Sequence, residues 1–217
     1  MEKFSVKKIV GEVLGTLALV LIGAGSAALT GNLLVTALAF GLTVVVLVAV
    51  GGGQYNPAVS FAAAIDKRIG WVEMLINIVA QIFGAILAAL LLWLFLGSNA
   101  NLGVNGLGGN LAAMENAFLG GLLGVAVETV ITFLFVLTIL RATRVNEEGK
   151  GNVLAPVVIG LALVVLIGLG FNLTGGSLNP ARSIGPALIQ GTFDNLWVYL
   201  VGPMLGGGLA ALVHKVL

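Results

Sequence analysis

Gly51-Gly52-Gly53-Gln54-Tyr55-Asn56-Pro57-Ala58 and Gly175-Gly176-Ser177-Leu178-Asn179-Pro180-Ala181 are the two stretches that decide the fold. Each Asn-Pro-Ala is followed by a Ser two residues after the Ala, Ser60 or Ser183, and by an Ala four residues beyond that, Ala64 or Ala187. Asn is a favoured helix N-cap and Pro a favoured first helical residue, so one copy reads only as an ordinary helix start. Two copies in register say more. Each opens a largely apolar run, Ala58 to Ile65 and Ala181 to Ile189, that is entered through glycine and is too short to span a bilayer. Such half-helices fit re-entrant segments, because irregular backbone is tolerated at membrane depth only where it lines a cavity or is buried in protein. The carbonyls of Gly52, Gly53 and Gln54, and of Gly175, Gly176 and Ser177, are therefore expected to face a water-filled path.

The rest of the chain supplies the membrane. Its 217 residues are 59% hydrophobic and 9% charged, with a mean hydropathy of +1.14, whereas soluble domains carry roughly 25% charge. Apolar stretches at about 9–29, 32–50, 71–96, 118–140, 154–171 and 196–213 each approach the roughly 20 residues that cross about 30 Å of hydrocarbon. Six spans leave no room for a soluble domain. Lys3, Lys7 and Lys8 before the first run, with Gly25-Ser26-Ala27-Ala28 after it, resemble a secretory leader, but the run is long and has a counterpart later in the chain. Lys3, Lys7, Lys8, Lys67, Arg68, Arg141, Arg144, Lys150 and Lys215 all fall on one side of a six-span chain, the cytoplasm by the positive-inside rule. A multi-pass protein of the cell (inner) membrane with both termini cytoplasmic is expected. The remaining basic residue, Arg182, follows the second Asn-Pro-Ala on the opposite side; it is a functional candidate, weighed against an Arg that merely snorkels to the surface.

The chain also reads as two halves. Glu12 in span one, Asn56 after span two and Gln81 in span three are matched in order by Glu128, Asn179 and Pro203. Three spans are an odd number, so the second half starts from the opposite face and is inverted. The expectation is an all-α integral membrane protein of six transmembrane helices and two re-entrant half-helices. It forms a single membrane channel domain over 1–217, with inverted repeats at about 1–97 and 118–217 joined by an extracellular loop rich in Gly and Asn. The half-helices then meet head to head, and their positive N-termini near the bilayer centre repel cations, protons included. Asn56 and Asn179 each cap a helix through the side-chain oxygen and keep the NH2 group to donate to a passing molecule.

At this point the chain resembles the aquaporin and aquaglyceroporin family, also called major intrinsic proteins. The resemblance covers essentially the whole length, through Gly11-Glu-Val-Leu-Gly-Thr, Ala39-Phe-Gly-Leu-Thr-Val, both Asn-Pro-Ala boxes, Ala80-Gln-Ile-Phe-Gly-Ala, Ile159-Gly-Leu-Ala-Leu and Val201-Gly-Pro-Met-Leu-Gly-Gly. It implies passive transport of water or small neutral solutes through one pore per protomer, in a homotetramer. It also implies a narrow filter of Phe40, Ile167, Gly176 and Arg182, with Ala39 or Thr36 as alternatives to Phe40, because the stretch from there to Asn56 is shorter than usual in the family. The Ile in span five is most like bacterial or archaeal aquaporins. Strict water channels carry His there, so Ile167 and Gly176 imply a wider filter that passes water and admits ammonia, hydrogen peroxide or some glycerol. Ser183 stands where glycerol facilitators carry Asp, Ala187 and Tyr199 resemble water channels, and Leu200 resembles the glycerol group. In this family carboxylates such as Glu12 and Glu128 brace the re-entrant backbones; a proton relay is the alternative role.

The other polar residues read as support. Gln81 is expected in packing or loop support, and His214 in solvent rather than as a pH gate. Asn172-Leu-Thr174 is a chance glycosylation match. Gly84, Ala85, Ala88, Gly206, Gly207 and Gly208 suit close helix packing. Asn146-Glu-Glu-Gly-Lys-Gly reads as a short cytoplasmic loop. Without Cys there is no disulfide or thiolate metal site, and mercurial reagents are not expected to block the pore. No phosphate loop, metal cluster or catalytic triad is legible, so no enzyme, cofactor, metal or nucleic-acid partner is expected. Two alternatives stay open: a glycerol facilitator, and, from another class, an ion-coupled secondary transporter. The latter would place several ionisable groups around a midplane site, whereas only Glu12, Glu128 and Arg182 occur here.

Overall fold

The computed structural model describes residues 5–97, 99–145 and 149–217; Lys3, and Asn146, Glu147 and Glu148 of the expected cytoplasmic loop, lie outside them. Among the described residues six helices are long and apolar enough to cross a membrane: α1 (Val6–Thr30), α2 (Leu33–Val50), α4 (Trp71–Leu96), α6 (Ala117–Ala142), α7 (Ala155–Thr174) and α9 (Leu196–His214). Two half-helices, α3 (Pro57–Ile65) and α8 (Pro180–Gln190), follow α2 and α7, and a one-turn helix, α5 (Gly109–Ala112), interrupts the central connection. The six span expectations hold within a few residues at each end, and α5 is the element the sequence reading lacked.

Local chemistry sets the boundaries. Asn32 and Asn116 cap α2 and α6 by accepting from the N–H groups of Val35 and Leu119, and Gly31, Gly175 and Gly191 end α1, α7 and α8 in the left-handed conformation. Outward faces stay apolar: Phe95, Val79 and Val165 are 66%, 68% and 70% exposed. In water that surface would cost about 25 cal/mol per Å²; against lipid tails it costs nothing, which is why the fold needs a bilayer.

With no solvent drive between helices, close backbone approach holds the bundle together. α1 packs on α4 and α6 on α9, and these equivalent pairs are joined where α2 crosses α7. A Cβ on Gly84 would strike the Val13 carbonyl of α1, and one on Gly206 the Thr129 carbonyl of α6. Gly41 and Gly160 meet the same way at the α2–α7 crossing. The half-helices are exchanged. α3 rests mainly on α9 and α8 mainly on α4, so each is seated on the last span of the other half.

The bundle has two chemically distinct ends. At one, Lys8 pairs with Glu73 at 3.2 Å, and Arg68 donates to Thr143 Oγ1 at 2.6 Å and to the Leu140 carbonyl at 2.8 Å. His214 belongs to this cluster and corrects the expectation of a solvated side chain: only 11% of it is exposed, with Nε2 3.8 Å from Asp66 Oδ2. At the other end the connection after α4 folds inward over α8.

Candidate functional site

The two Gly-rich segments reach the middle of the bundle as strained backbone. Tyr55 and Leu178, the residues just before the two Asn, both sit in the left-handed region, at φ 54° and 55°. For a residue with a Cβ that conformation costs about 1–3 kcal/mol and persists only where the surroundings enforce it. Two carboxylates enforce it here. Glu12 accepts from the backbone N–H groups of Gln54 and Tyr55, both at 2.7 Å, and Glu128 from those of Ser177 and Leu178, both at 2.9 Å. Glu12 is 5% exposed and Glu128 fully buried. Each carboxylate takes a third donor, Gln81 Nε2 at 2.8 Å or Thr174 Oγ1 at 2.7 Å. Thr174, the last residue of the sequon match, is thus buried.

The two Asn residues then start the half-helices. Asn56 Oδ1 accepts from the Ala58 N–H at 2.9 Å, and Asn179 Oδ1 from those of Ala181 and Arg182 at 3.0 and 3.3 Å; Pro57 and Pro180 occupy the first helical position. The amide groups cross over. Asn56 Nδ2 donates to the Leu178 carbonyl at 2.8 Å and Asn179 Nδ2 to the Tyr55 carbonyl at 2.9 Å. Each NH2 carries two hydrogens, so one braces the opposite loop and one remains.

Beside this junction lies a cavity of about 150 Å³, bordered by Asn56 and Asn179, by Gly52, Gly53, Gln54 and Ser177, and by Phe40, Ile167 and Arg182. Its remaining wall is apolar, with Val44, Val59, Phe135, Ile159 and Leu163, and it reaches Ile139 and Thr143 at the Lys- and Arg-rich end. Gly175 and Gly176, expected to offer carbonyls, do not border it: Gly175 still closes α7 by donating to the Phe171 carbonyl, and Gly176 lies against the Ile167 backbone. Of the alternatives to Phe40, Thr36 is buried with a hydroxyl that has no partner among the described residues, and neither it nor Ala39 borders the cavity. Arg182 is 3% exposed; its guanidinium carbon is 5.2 Å from the centre of the Phe40 ring, within cation–π range. Arg182 Nη1 donates to the Gly103 carbonyl at 2.6 Å.

Polar networks flank both loops. In the first, Gln54 Oε1 accepts from Ser60 Oγ at 2.6 Å and Asn77 Nδ2 at 3.1 Å, and Gln81 Nε2 also donates to Ser60 Oγ. In the second, Ser177 Oγ and Ser183 Oγ are 2.6 Å apart, and Ser183 donates to Asn105 Oδ1 at 2.8 Å. Asn77, Gly103 and Asn105 were missed by sequence reasoning. The only signal for Asn77 was a polar residue on an apolar span, and nothing in the loop around Gly103 set those residues apart.

Six spans around two abutting half-helices, with a cavity that passes both Asn side chains, define a membrane channel. The chain belongs to the major intrinsic protein family, whose model matches residues 1–214. It is 38% identical to the glycerol uptake facilitator protein-like 6 of Lactiplantibacillus plantarum, over 97% of this chain and 98% of that one. It is 36% identical to the probable aquaporin TIP2-2 of Oryza sativa subsp. japonica, over 97% and 87%. The structure of the aquaglyceroporin from Plasmodium falciparum superposes with a TM-score of 0.80 over 97% of this chain and 95% of that one, at 24% identity, and shares the fold. Membership makes the protein a passive, multi-pass membrane channel rather than an ion-coupled carrier; the family's members are channels, not enzymes.

Proposed function

We propose that water is the main permeant and that the channel discriminates against glycerol, ions and protons. The observation that carries this reading is the crossed pair of Asn amides. Each commits one hydrogen to the opposite loop and holds the other for a solute in the cavity, while the apolar wall offers nothing to replace further hydration. A permeant must accept a hydrogen bond, be small and be neutral. Ions would forfeit their hydration, and cations would also meet the two helix N-termini and Arg182. Phe40, Ile167 and Arg182 form the constriction in this reading, while Gly176, the fourth residue expected there, packs against the Ile167 backbone and takes no part. The carbonyls of Gly52, Gly53, Gln54 and Ser177 supply the acceptors along the path, and Glu12 and Glu128 hold them in place. Hydrogen peroxide and ammonia meet the same criteria.

The chain is read as one channel domain, with repeats at about 1–97 and 118–217 joined by an extracellular connection. Both termini lie in the cytoplasm, the protein resides in the cell membrane, and it assembles as a homotetramer. The name of the Lactiplantibacillus relative favours glycerol as the competing permeant. Stopped-flow light scattering on proteoliposomes separates the two, by comparing shrinkage in sucrose with re-swelling in glycerol for the parent chain and Ile167→His. Fast shrinkage with slow re-swelling is expected, and Ile167→His should slow glycerol further. Equal water and glycerol permeability in the parent would sink the water-first reading.

A further inference from the structure

We infer that Asn105, in the connection between α4 and α6, is a positioning residue that sets the selectivity of the outer constriction through Ser183. The inference rests on the reading that Arg182 lines that constriction.

The segment around it is clipped to α8 at three successive points. The Leu102 N–H donates to Gln190 Oε1 at 2.7 Å, the Gly103 carbonyl accepts from Arg182 Nη1 at 2.6 Å, and Asn105 Oδ1 accepts from Ser183 Oγ at 2.8 Å. Leu102 and Asn105 are buried, and Gly103 lies against the backbone of Ala24 so closely that any side chain would collide. This is a built strap. Gly103 provides the one hydrogen bond of the Arg182 guanidinium to protein among the described residues, and Nε is buried without a partner. The position of Arg182 in the constriction therefore depends on where the strap lies.

Asn105 does more than hold the strap, because it decides the direction of a hydroxyl chain. Asn105 Oδ1 only accepts, so the single Ser183 proton points to it. Ser183 then accepts from Ser177, 2.6 Å away, and Ser177 Oγ is left to accept from the Asn179 N–H at 3.2 Å. Remove the acceptor and the chain reverses: Ser183 donates to Ser177, and Ser177 turns its proton to the Asn179 carbonyl, 3.0 Å away. One amide oxygen outside the six spans thus fixes the polarity of the second loop next to Asn179 as well as the strap that carries Gly103.

The test is a double-mutant cycle with Asn105→Leu and Ser183→Ala, read as the ratio of glycerol to water permeability in proteoliposomes. A ratio does not move with the number of folded channels, so a merely structural role leaves it unchanged. Asn105→Leu is expected to raise the ratio about fivefold, the scale of one lost hydrogen bond. Ser183→Ala should do the same, and the double variant no more than either alone. An unchanged ratio in Asn105→Leu, or additive effects in the double variant, overturns the inference. If Asn105→Leu fails to reach the membrane, Gln190→Leu releases the neighbouring clip; it must raise the ratio or the inference fails. A parent chain that does not conduct water at all would instead count against the proposed function.

Discussion

The two re-entrant loops perform the same backbone manoeuvre with different supporting parts. In both, a carboxylate from the first span of its half seizes two consecutive N–H groups, the second of them on a left-handed residue, and an Asn then caps the half-helix. Beyond that the parts diverge. The first loop is buttressed from within the bilayer, by Gln81 and Asn77 of α4. The second is buttressed by Thr174 at the end of its own span and by a strap that lies outside the spans. Three N–H or O–H groups on each carboxylate are the invariant between the halves, and the packing around them is free to vary. Charge differs too: Arg182 follows the second Asn-Pro-Ala, and Val59 stands at that position in the first.

The largest expected effect separates the carboxylates. Glu128→Ala leaves two buried N–H groups without an acceptor and should cost about 3 kcal/mol in unfolding stability, at about 1–3 kcal/mol for each unsatisfied group. Glu12→Ala should cost less, because Gln81 Oε1 is buried, without a partner among the described residues, and carried by the same amide that donates to Glu12, so a turn of that amide supplies a spare acceptor. Denaturation in detergent measures both, and equal losses would break this asymmetry between the loops. Next in size, Arg182→Ala should raise the glycerol-to-water permeability ratio about tenfold, the scale of one hydrogen bond to a charged group. Val59→Ala, at the equivalent position of the other half, trims the cavity wall away from Arg182 and should raise that ratio far less; a comparable rise would mean that the narrow point is shared between the halves. The smallest effect sharpens the first loop alone. Tyr55→Phe removes the hydroxyl that accepts from the Gly53 N–H at 2.9 Å and should cost about 1 kcal/mol, with no counterpart at Leu178.

Much of this was legible in the chain because its signals are local. Asn before Pro marks a helix start by capping chemistry, apolar length marks a span, and Glu12 and Glu128 stand out because a carboxylate in an apolar helix needs donors. What escaped has no local mark. Tyr55 and Leu178 take a conformation normally left to glycine, and distant partners, the carboxylates and the crossed Asn amides, hold them in it. The strap reads as an ordinary Gly- and Asn-rich loop, since its partners lie 78 to 88 residues away along the chain. His214 looked like a free chain end because Asp66 and Arg68 are brought to it only by the folding of the whole bundle.

The crossed Asn amides bear on how the chain is made. Their bonds join residues 122 and 124 positions apart, so neither can form during synthesis of the first half. When the ribosome has delivered α1 to α4, the Tyr55 carbonyl and the Asn56 amide are complete but their partners at 178 and 179 do not yet exist. Contacts of such separation form late, and at bilayer depth a lone carbonyl is held only by water. A hydrated crevice beside the first half-helix is therefore the expected state until the second arrives.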